Sequence, residues 1–326
     1  MIPMLGNITL TPPVILAPMA GIPDLPFRRM VARFGAGLVV SEMVASQEVV
    51  QAKPMARARA ELGFGEAATS VQLVGREPHW MAEAARYVAG MGAQVIDIHM
   101  GCPAKRVTTG ACGSALMRDL DRALRLIDAV ISAVSVPVTL KTRLGWDEDS
   151  LNAAALATRA QNAGVAMITI HGRTRCQFYK GAANWSAIRA VKDAVTIPVI
   201  ANGDIVDGAT ACAALAQSGA DGVMIGRGAQ GAPWRLAQIS AAVYGTRPPI
   251  VPQGDALADL VIDHYDQMQA FYGPGLGPRV ARKHLGWYLD AAGLSHHRAA
   301  LVTCDDTATT RRLIRSAFQD QSQAAA

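Results

Sequence analysis

At residues 97–103 the chain reads Asp97-Ile98-His99-Met100-Gly101-Cys102-Pro103. Residues 95–99 are mostly apolar and β-forming, which predicts a buried strand, and the glycine and proline after them predict a loop. Cys102 therefore follows the carboxyl end of a strand. If that strand belongs to a β/α barrel, Cys102 lies where the catalytic groups of such barrels lie. A thiol at this place can act as a nucleophile, a metal ligand or a proton donor.

Short apolar runs of this kind recur along the chain. They occupy residues 14–17, 38–41, 70–73, 95–99, 136–141, 167–171, 199–201 and 223–225. Segments of helical period lie between them, for example residues 79–89, 120–134, 150–163 and 208–217. Strands that alternate with helices are typical of a parallel sheet with crossover helices. Eight such units predict a (β/α)8 TIM barrel over residues 1–245.

Polar or conformationally special residues follow nearly every predicted strand. They are Pro18-Met19-Ala20, Glu42, Gln72, His99 with Cys102, Lys141, His171, Asn202-Gly203-Asp204 and Gly226-Arg227. A doubly wound sheet gathers its site at one crevice, whereas a barrel collects residues from all its strand ends at one mouth. The pattern favours the barrel.

The sequence changes character after the last predicted strand. Residues 246–252 form a Pro-rich connection, which is typical of a domain boundary. Residues 255–271, 277–289 and 307–318 then read as helices, and no strand pattern follows. We expect a small all-helical domain over residues 253–326.

Composition limits the class of protein. The chain has 326 residues, 51% of them hydrophobic, and no uninterrupted apolar run of the roughly 18 residues that a membrane span needs. We expect no membrane partner and no secretory signal. The five cysteines are odd in number and form no C-x-x-C pair, so we predict no metal site and a reduced, cytoplasmic setting. The net charge of +5 is compatible with a polyanionic partner.

Several strand-end residues suggest particular ligands. Gly203 and Gly226, with Arg227, follow the last two strands, where barrels commonly bind a phosphate, although they can equally form tight turns. A buried Lys141 needs an anionic partner such as a reduced flavin, unless it extends to solvent. Gln72 and His171 can bind a flavin or substrate edge or be purely structural.

Cys102 and the nearby cations allow competing interpretations. A lone cysteine is by default a small buried hydrophobe, but the Gly-Pro loop favours a reactive role for Cys102 and leaves Cys112 as a bystander. Basic residues follow the second, fourth and sixth strands and would ring the mouth, where they would attract a polyanion unless they are only solvated surface charges. They are Lys53, Arg57, Arg59, Lys105, Arg106, Arg173, Arg175 and Lys180.

Seven ordered motifs together resemble the tRNA-dihydrouridine synthases, most closely the bacterial B-type branch. They are Ala17-Pro18-Met19-Ala20-Gly21, Gln72-Leu73-Val74-Gly75, Gly101-Cys102-Pro103, residues 141–146, His171-Gly172-Arg173-Thr174, Asn202-Gly203-Asp204-Ile205 and Gly226-Arg227-Gly228. The resemblance covers nearly the whole chain. It implies an FMN-bearing barrel that reduces uridines of tRNA to dihydrouridine with NADPH, in the cytoplasm.

The resemblance also implies residue roles. Cys102 would donate a proton to C5 of uracil while reduced flavin gives a hydride to C6. FMN would be held by Pro18, Met19, Ala20, Gln72, Lys141, His171, Asn202, Gly203, Asp204, Gly226 and Arg227. RNA would be bound by His99, Lys105, Arg106, Arg173, Arg175, Arg279, Arg282 and Lys283. His99 departs from the family, which commonly has asparagine there.

Two other functions compete with this one. The first is a flavin-dependent reductase of a free small molecule, such as a pyrimidine or an enone, which would need neither the basic ring nor the helical domain. The second is a non-catalytic RNA-binding flavoprotein, against which the intact Cys102 loop argues. B-type relatives act in the D-loop, but the sequence does not specify the uridine. Nothing in it suggests a dimer face, so we expect a monomer.

Overall fold

The structure is a computed structural model that describes residues 3–63 and 69–324. Eight parallel strands form its centre. They are β1 (Val14–Leu16), β2 (Leu38–Val40), β3 (Thr69–Val74), β4 (Val95–Met100), β5 (Val138–Arg143), β6 (Met167–His171), β7 (Val199–Asn202) and β8 (Gly222–Ile225). Each lies within a few residues of a strand predicted from the apolar runs.

The strands close into a barrel. Every strand pairs in parallel with its neighbour in sequence, and β8 returns to β1 through the register Val223↔Val14. Strands β2 and β3 pair through Val39↔Thr69, which completes the ring. The predicted (β/α)8 TIM barrel is confirmed. Since all the strands run the same way, their carboxyl ends meet at one mouth.

Helices surround the strands and follow the barrel along the chain. They are α1 (Leu25–Arg33), α2 (Ser46–Val50), α3 (Pro54–Ala60), α4 (Pro78–Gly90), α5 (Lys105–Thr108), α6 (Leu120–Ile131), α7 (Ala153–Ala163), α8 (Arg189–Ala194), α9 (Gly208–Ser218), α10 (Arg235–Tyr244), α11 (Gly254–Ala291), α12 (Arg298–Thr303) and α13 (Thr307–Ala324). Short 3₁₀ turns occur at Gly113–Arg118, Ser186–Ile188, Arg227–Ala229 and Ser295–His297.

Local sequence signals set the helix ends. Asp24 caps α1 by accepting a hydrogen bond from the Phe27 backbone N–H at 3.0 Å. A reciprocal capping box joins Asp207 and Thr210 at the start of α9, and left-handed Gly219 (φ +65°) ends that helix. The apolar faces of such helices pack on the strands to form the main core.

Two pairings were not predicted. Met4–Leu5 and Ile8–Thr9 form an antiparallel hairpin before β1. Val44–Ala45, just past β2, pairs in parallel with the end of β3. Two-residue strands are too short to show an alternating pattern, so the sequence carries no periodic signal for them.

The C-terminal segment is helical, as predicted, and has its own core. Gly273 (φ +78°, ψ 168°) interrupts α11 between the two predicted helices. Trp234, in the segment between β8 and α10, packs with α11 and α13 in this second core, so the cores overlap at the segment that leaves the barrel. The division into domains of residues 1–245 and 253–326 stays a prediction. None of the helices in the described ranges is both long and apolar enough to cross a membrane.

Candidate active site at the barrel mouth

Strand register brings the predicted residues together. Lys141 on β5 lies beside His99 on β4, and His171 on β6 lies beside Asn202 on β7. Arg143, two residues after Lys141, lies beside His171. Neighbouring register positions on adjacent strands place side chains within contact distance. The mouth therefore collects one amide and four basic or titratable groups from four strands.

Lys141 is the central buried cation. It is 5% exposed, and its Nζ donates a hydrogen bond to Asn202 Oδ1 at 3.0 Å. Asn202 is in turn fixed by a bond from its Nδ2 to the Met224 carbonyl at 2.8 Å. Burial, together with the charge of Arg143, lowers the pKa of Lys141 to about 8. A buried ammonium hydrogen-bonded to a neutral amide is poised to receive an anion.

Asp97 lies deeper in the barrel and was not predicted. It accepts hydrogen bonds from Gln72 Nε2 and Thr139 Oγ1, both at 2.6 Å. Burial raises its pKa, while these two donors and Lys141 oppose the rise. The signal was available, because Asp97 and His99 are two residues apart on one strand and so face the same side. Asp97 fixes the amide of Gln72 at the base of the mouth.

Two histidines at the mouth are held neutral. Burial, with the charges of Lys141 and Arg143, keeps the pKa values of His99 and His171 well below the usual range. His99 Nδ1 is buried and has no hydrogen-bond partner among the described residues. A neutral imidazole offers one donor and one acceptor. His99 thus presents an unsatisfied polar atom that suits a ligand carrying both.

The backbone of the Cys102 loop is fixed from two sides. Arg143 is 1% exposed, and its Nε donates to the Gly101 carbonyl at 2.8 Å. Ser114 Oγ donates to the Cys102 carbonyl at 2.7 Å. Cys102 itself is a free, partly exposed thiol. Arg143 was not predicted as a site residue, although its spacing from Lys141 placed both on the inner face of β5.

Arg143 also ties this loop to the next one. Its Nη1 donates to the carbonyls of Thr174 and Phe178, both at 2.9 Å. Burial lowers its pKa to about 10, and Tyr179 acts in the opposite direction. Arg143 is therefore a positioning residue that joins the Cys102 loop to the loop after β6.

Arg173 is buried inside the mouth. It was predicted to bind RNA at the rim, but it is 1% exposed. Its guanidinium binds Asp204 Oδ2 at 2.5 Å and also the carbonyls of Lys180 and Gly181. A buried and fully bonded guanidinium is not available to a polyanion, so Arg173 organises the mouth instead. Arg227 reaches the other oxygen of Asp204 at 3.2 Å and remains exposed.

The loop after β1 meets the loop after β8. A Cβ placed on Gly226 would lie 3.5 Å from Met19 Sδ, which is ordinary contact. The Gly21 N–H donates to Glu42 Oε2 at 2.5 Å, and its carbonyl accepts from Lys283 Nζ of α11. Of the three cations predicted for RNA on α11, Lys283 is thus held against the mouth. The others differ: Arg282 is paired with Asp305, and Arg279 is exposed.

Aromatic rings and arginines form part of the rim. Arg175 lies over Trp146 at 4.6 Å and over Phe178 at 4.9 Å, measured to the ring centroids. Arg227 lies 5.5 Å from the ring centroid of Tyr179, which is 57% exposed. Lys105 and Arg106 are exposed on α5, directly after the Cys102 loop. In residues 3–63 and 69–324, no group of three or more His, Cys, Asp or Glu side chains is arranged to hold a metal ion.

Comparison with known proteins gives one consistent result. The family model described as "Dihydrouridine synthase (Dus)" matches residues 15–323. A protein of Rhodobacter capsulatus named "Probable tRNA-dihydrouridine synthase" is 63% identical over 322 residues, which is 98% of this chain and 99% of that protein. One of Rhizobium leguminosarum with the same name is 54% identical over 85% of each chain. The "tRNA-dihydrouridine synthase B" of Xanthomonas campestris is 48% identical over 87% of this chain and 86% of its own.

Proposed function

Because the chain belongs to the dihydrouridine synthase family, a family of oxidoreductases, we propose that it reduces uridines in the D-loop of tRNA to 5,6-dihydrouridine. FMN is the proposed cofactor, NADPH the reductant, and the enzyme acts as a cytoplasmic monomer. The observation that carries the proposal is the geometry around Lys141. A buried cation with an amide partner shares the barrel mouth with a free thiol on a rigid loop.

The residues present fit FMN. Lys141, buried with a neutral amide as its hydrogen-bond partner, can balance the delocalised negative charge of a reduced isoalloxazine. Gly203 adopts φ +113°, and a Cβ there would lie 2.9 Å from His171 Cδ2, so the turn needs glycine. The short 3₁₀ turn Arg227–Ala229 follows β8, where barrels bind phosphate.

The proposed cofactor set is the one expected from the motifs. It comprises Pro18, Met19, Ala20, Gln72, Lys141, His171, Asn202, Gly203, Asp204, Gly226 and Arg227. Gln72 and Asn202 are buried and held by Asp97 and the Met224 carbonyl, so their amides are already oriented. Side chains fixed in this way lose little freedom when a ligand binds.

The chain's own residues account for the remaining chemistry. FMN, when bound, supplies the hydride. Cys102 acts as the general acid and donates the proton of its Sγ to C5 of the uracil. Arg143 and Ser114 fix the loop and so the position of that thiol. His99, neutral and beside Lys141, hydrogen-bonds the base.

A polyanion suits the rim. Cations lie on α5, on the loop after β6 and on α11. They are Lys105, Arg106, Arg175, Arg279 and Arg282. Lys283, also on α11, connects that helix to the mouth. Such cations bind phosphates and steer association. A uridine must leave its stack to reach a buried site, so we expect the target base to be flipped out.

The test is the dihydrouridine content of tRNA from cells that lack the gene. Plasmids would supply the wild-type chain, Cys102→Ala, or Cys212→Ala, which changes an exposed cysteine on α9. We expect loss at defined positions, restored by the wild type and by Cys212→Ala but not by Cys102→Ala. An unchanged profile in a cell with no second synthase would reject the proposal and favour a small-molecule reductase.

A further inference from the structure

A separate cavity lies beside the mouth. It has a volume of about 460 Å³ and is bounded by the loops after β2, β3 and β4. None of the residues proposed for FMN lines it, and Cys102 does not line it either. Its walls include Arg59, Arg76, Trp80, Arg106 and Cys112. A space of this size lies within the range of small-ligand sites.

The cavity has an excess of weakly paired positive charge. Three arginines and two glutamates line it. Arg106 forms no ion pair among the described residues. Arg76 lies 3.6 Å from Glu77, but both side chains are more than half exposed, so the pair is weak. The buried Nε of Arg59 lies 3.5 Å from Glu42 Oε2 but forms no hydrogen bond within residues 3–63 and 69–324. These guanidinium groups favour an anion.

The cavity also has a flat, rigid wall. Trp80 lies in the first turn of α4, a helix of 13 residues whose N-cap, Glu77, makes no side-chain capping bond. The first-turn N–H groups therefore add positive potential on this side. A Cβ on Gly75 would lie 2.3 Å from Ser46 Oγ, so the β3–α4 loop packs closely against α2 and fixes the wall.

We propose that this cavity binds one unstacked nucleotide of the RNA substrate, with its base on Trp80 and its phosphate at Arg59, Arg76 and Arg106. Stacking on an aromatic ring combined with arginine contacts to phosphate is how proteins bind single-stranded RNA. The proposal rests on the function proposed above, which supplies the RNA.

The position of the cavity favours a nucleotide of RNA over a free nucleotide. Arg106 and Cys112 belong to the segment that begins at Cys102, and a Cβ on Gly113 would lie 3.1 Å from Cys102 Cβ. The cavity thus shares a wall with the loop that carries the proposed proton donor. Because the two sites share this loop, an RNA strand that delivers a uridine to Cys102 can place a neighbouring nucleotide in the cavity.

Cys112 supplies a probe inside the cavity. The holoenzyme is alkylated with iodoacetamide with and without tRNA that lacks dihydrouridine, and the Cys112 and Cys212 peptides are quantified by mass spectrometry. Cys212, exposed on α9 outside the cavity, is the internal control. We expect tRNA to slow alkylation of Cys112 at least about fivefold and to leave Cys212 unchanged. Protection by NADPH alone, with none by tRNA, would overturn the RNA assignment.

Matched variants complete the test. Trp80→Ala and Arg106→Ala should each weaken tRNA binding about tenfold, while Trp80→Phe retains most of the affinity. Arg86→Ala is the control, because Arg86 is on α4 but pairs with Glu83 at 2.6 Å outside the cavity. A protein that binds and reduces tRNA without protecting Cys112 overturns this inference alone. A protein that binds no tRNA overturns the proposed function as well.

Discussion

Arg173 and Asp204 form a 2.5 Å ion pair inside the barrel mouth, between the loops after β6 and β7. The Ala183 N–H also donates to Asp204 at 2.8 Å, and Asp204 itself adopts a left-handed conformation (φ +52°). A non-glycine residue in this region is held there by its contacts. Arg173, which was predicted to bind RNA, therefore stabilises the shape of the proposed phosphate site.

Removing the Asp204 carboxylate should destabilise the folded protein. Asp204→Ala would leave the buried guanidinium of Arg173 without its carboxylate, which we expect to lower the free energy of unfolding by about 3 kcal/mol. The matched control is Asp263→Ala, which breaks the exposed pair with Arg33 and should cost less than about 1 kcal/mol. Urea unfolding measures both, and equal small losses would contradict the structural role.

Lys141 should control FMN binding. Lys141→Met removes the buried cation, and we expect FMN affinity to fall at least about tenfold, because hydrogen bonds to charged groups are the strong ones. For the wild type, affinity should fall as pH rises through about 8, where Lys141 loses its proton. Quenching of FMN fluorescence measures this. Lys53→Met, an exposed lysine, is the control. A pH profile shared by wild type and Lys141→Met would refute the assignment.

Two buried histidines of α11, His264 and His284, have ring centroids 5.0 Å apart and predict acid sensitivity. Burial lowers the pKa of His264 to about 3 and keeps that of His284 well below its usual value. In the unfolded chain both bind protons below about pH 6.5, so their contribution to stability is present above that pH and is lost as pH falls. The slope is about 1.4 kcal/mol per pH unit for each histidine. Asp24, whose pKa burial raises to about 6, acts in the opposite direction between its unfolded value of 3.8 and about 6.

The histidine contribution can be isolated by substitution. His284→Gln should lose less stability than the wild type between about pH 7 and about pH 5, because one of the four histidines whose pKa is lowered by burial in the folded state is gone. His79→Gln, an exposed histidine on α4, should follow the wild type. Thermal or urea unfolding at the two pH values checks this. If the free energy of unfolding of His284→Gln fell as steeply with pH as that of the wild type, His284 would not contribute to the acid sensitivity.

The fold was predictable because its signals are local. Each barrel strand is an apolar run of several residues followed by a special residue, and all eight runs are strands in the structure. The site was predictable only in part. Strand ends showed which residues reach the mouth, but burial is a tertiary property, so nothing in the sequence distinguished buried Arg173 from half-buried Arg175.

The features of the site that were not predicted differ in whether the sequence carried a signal for them. Arg143 and Asp97 could have been found, since each lies two residues from a predicted site residue on the same strand face. The cavity beside the mouth could not, because it joins segments after β2, β3 and β4 that are far apart in sequence. Cys112, interpreted as a bystander, lines that cavity.

The most direct measurement is dihydrouridine formation by the purified protein, supplied with FMN, NADPH and tRNA that lacks dihydrouridine. Nucleoside mass spectrometry would compare the wild type with Cys102→Ala and Cys212→Ala. We predict product from the wild type and Cys212→Ala, and at least about 100-fold slower formation by Cys102→Ala with tRNA binding retained. Equal rates for Cys102→Ala would contradict its role as proton donor, and no product from the loaded wild type would contradict the proposed reaction.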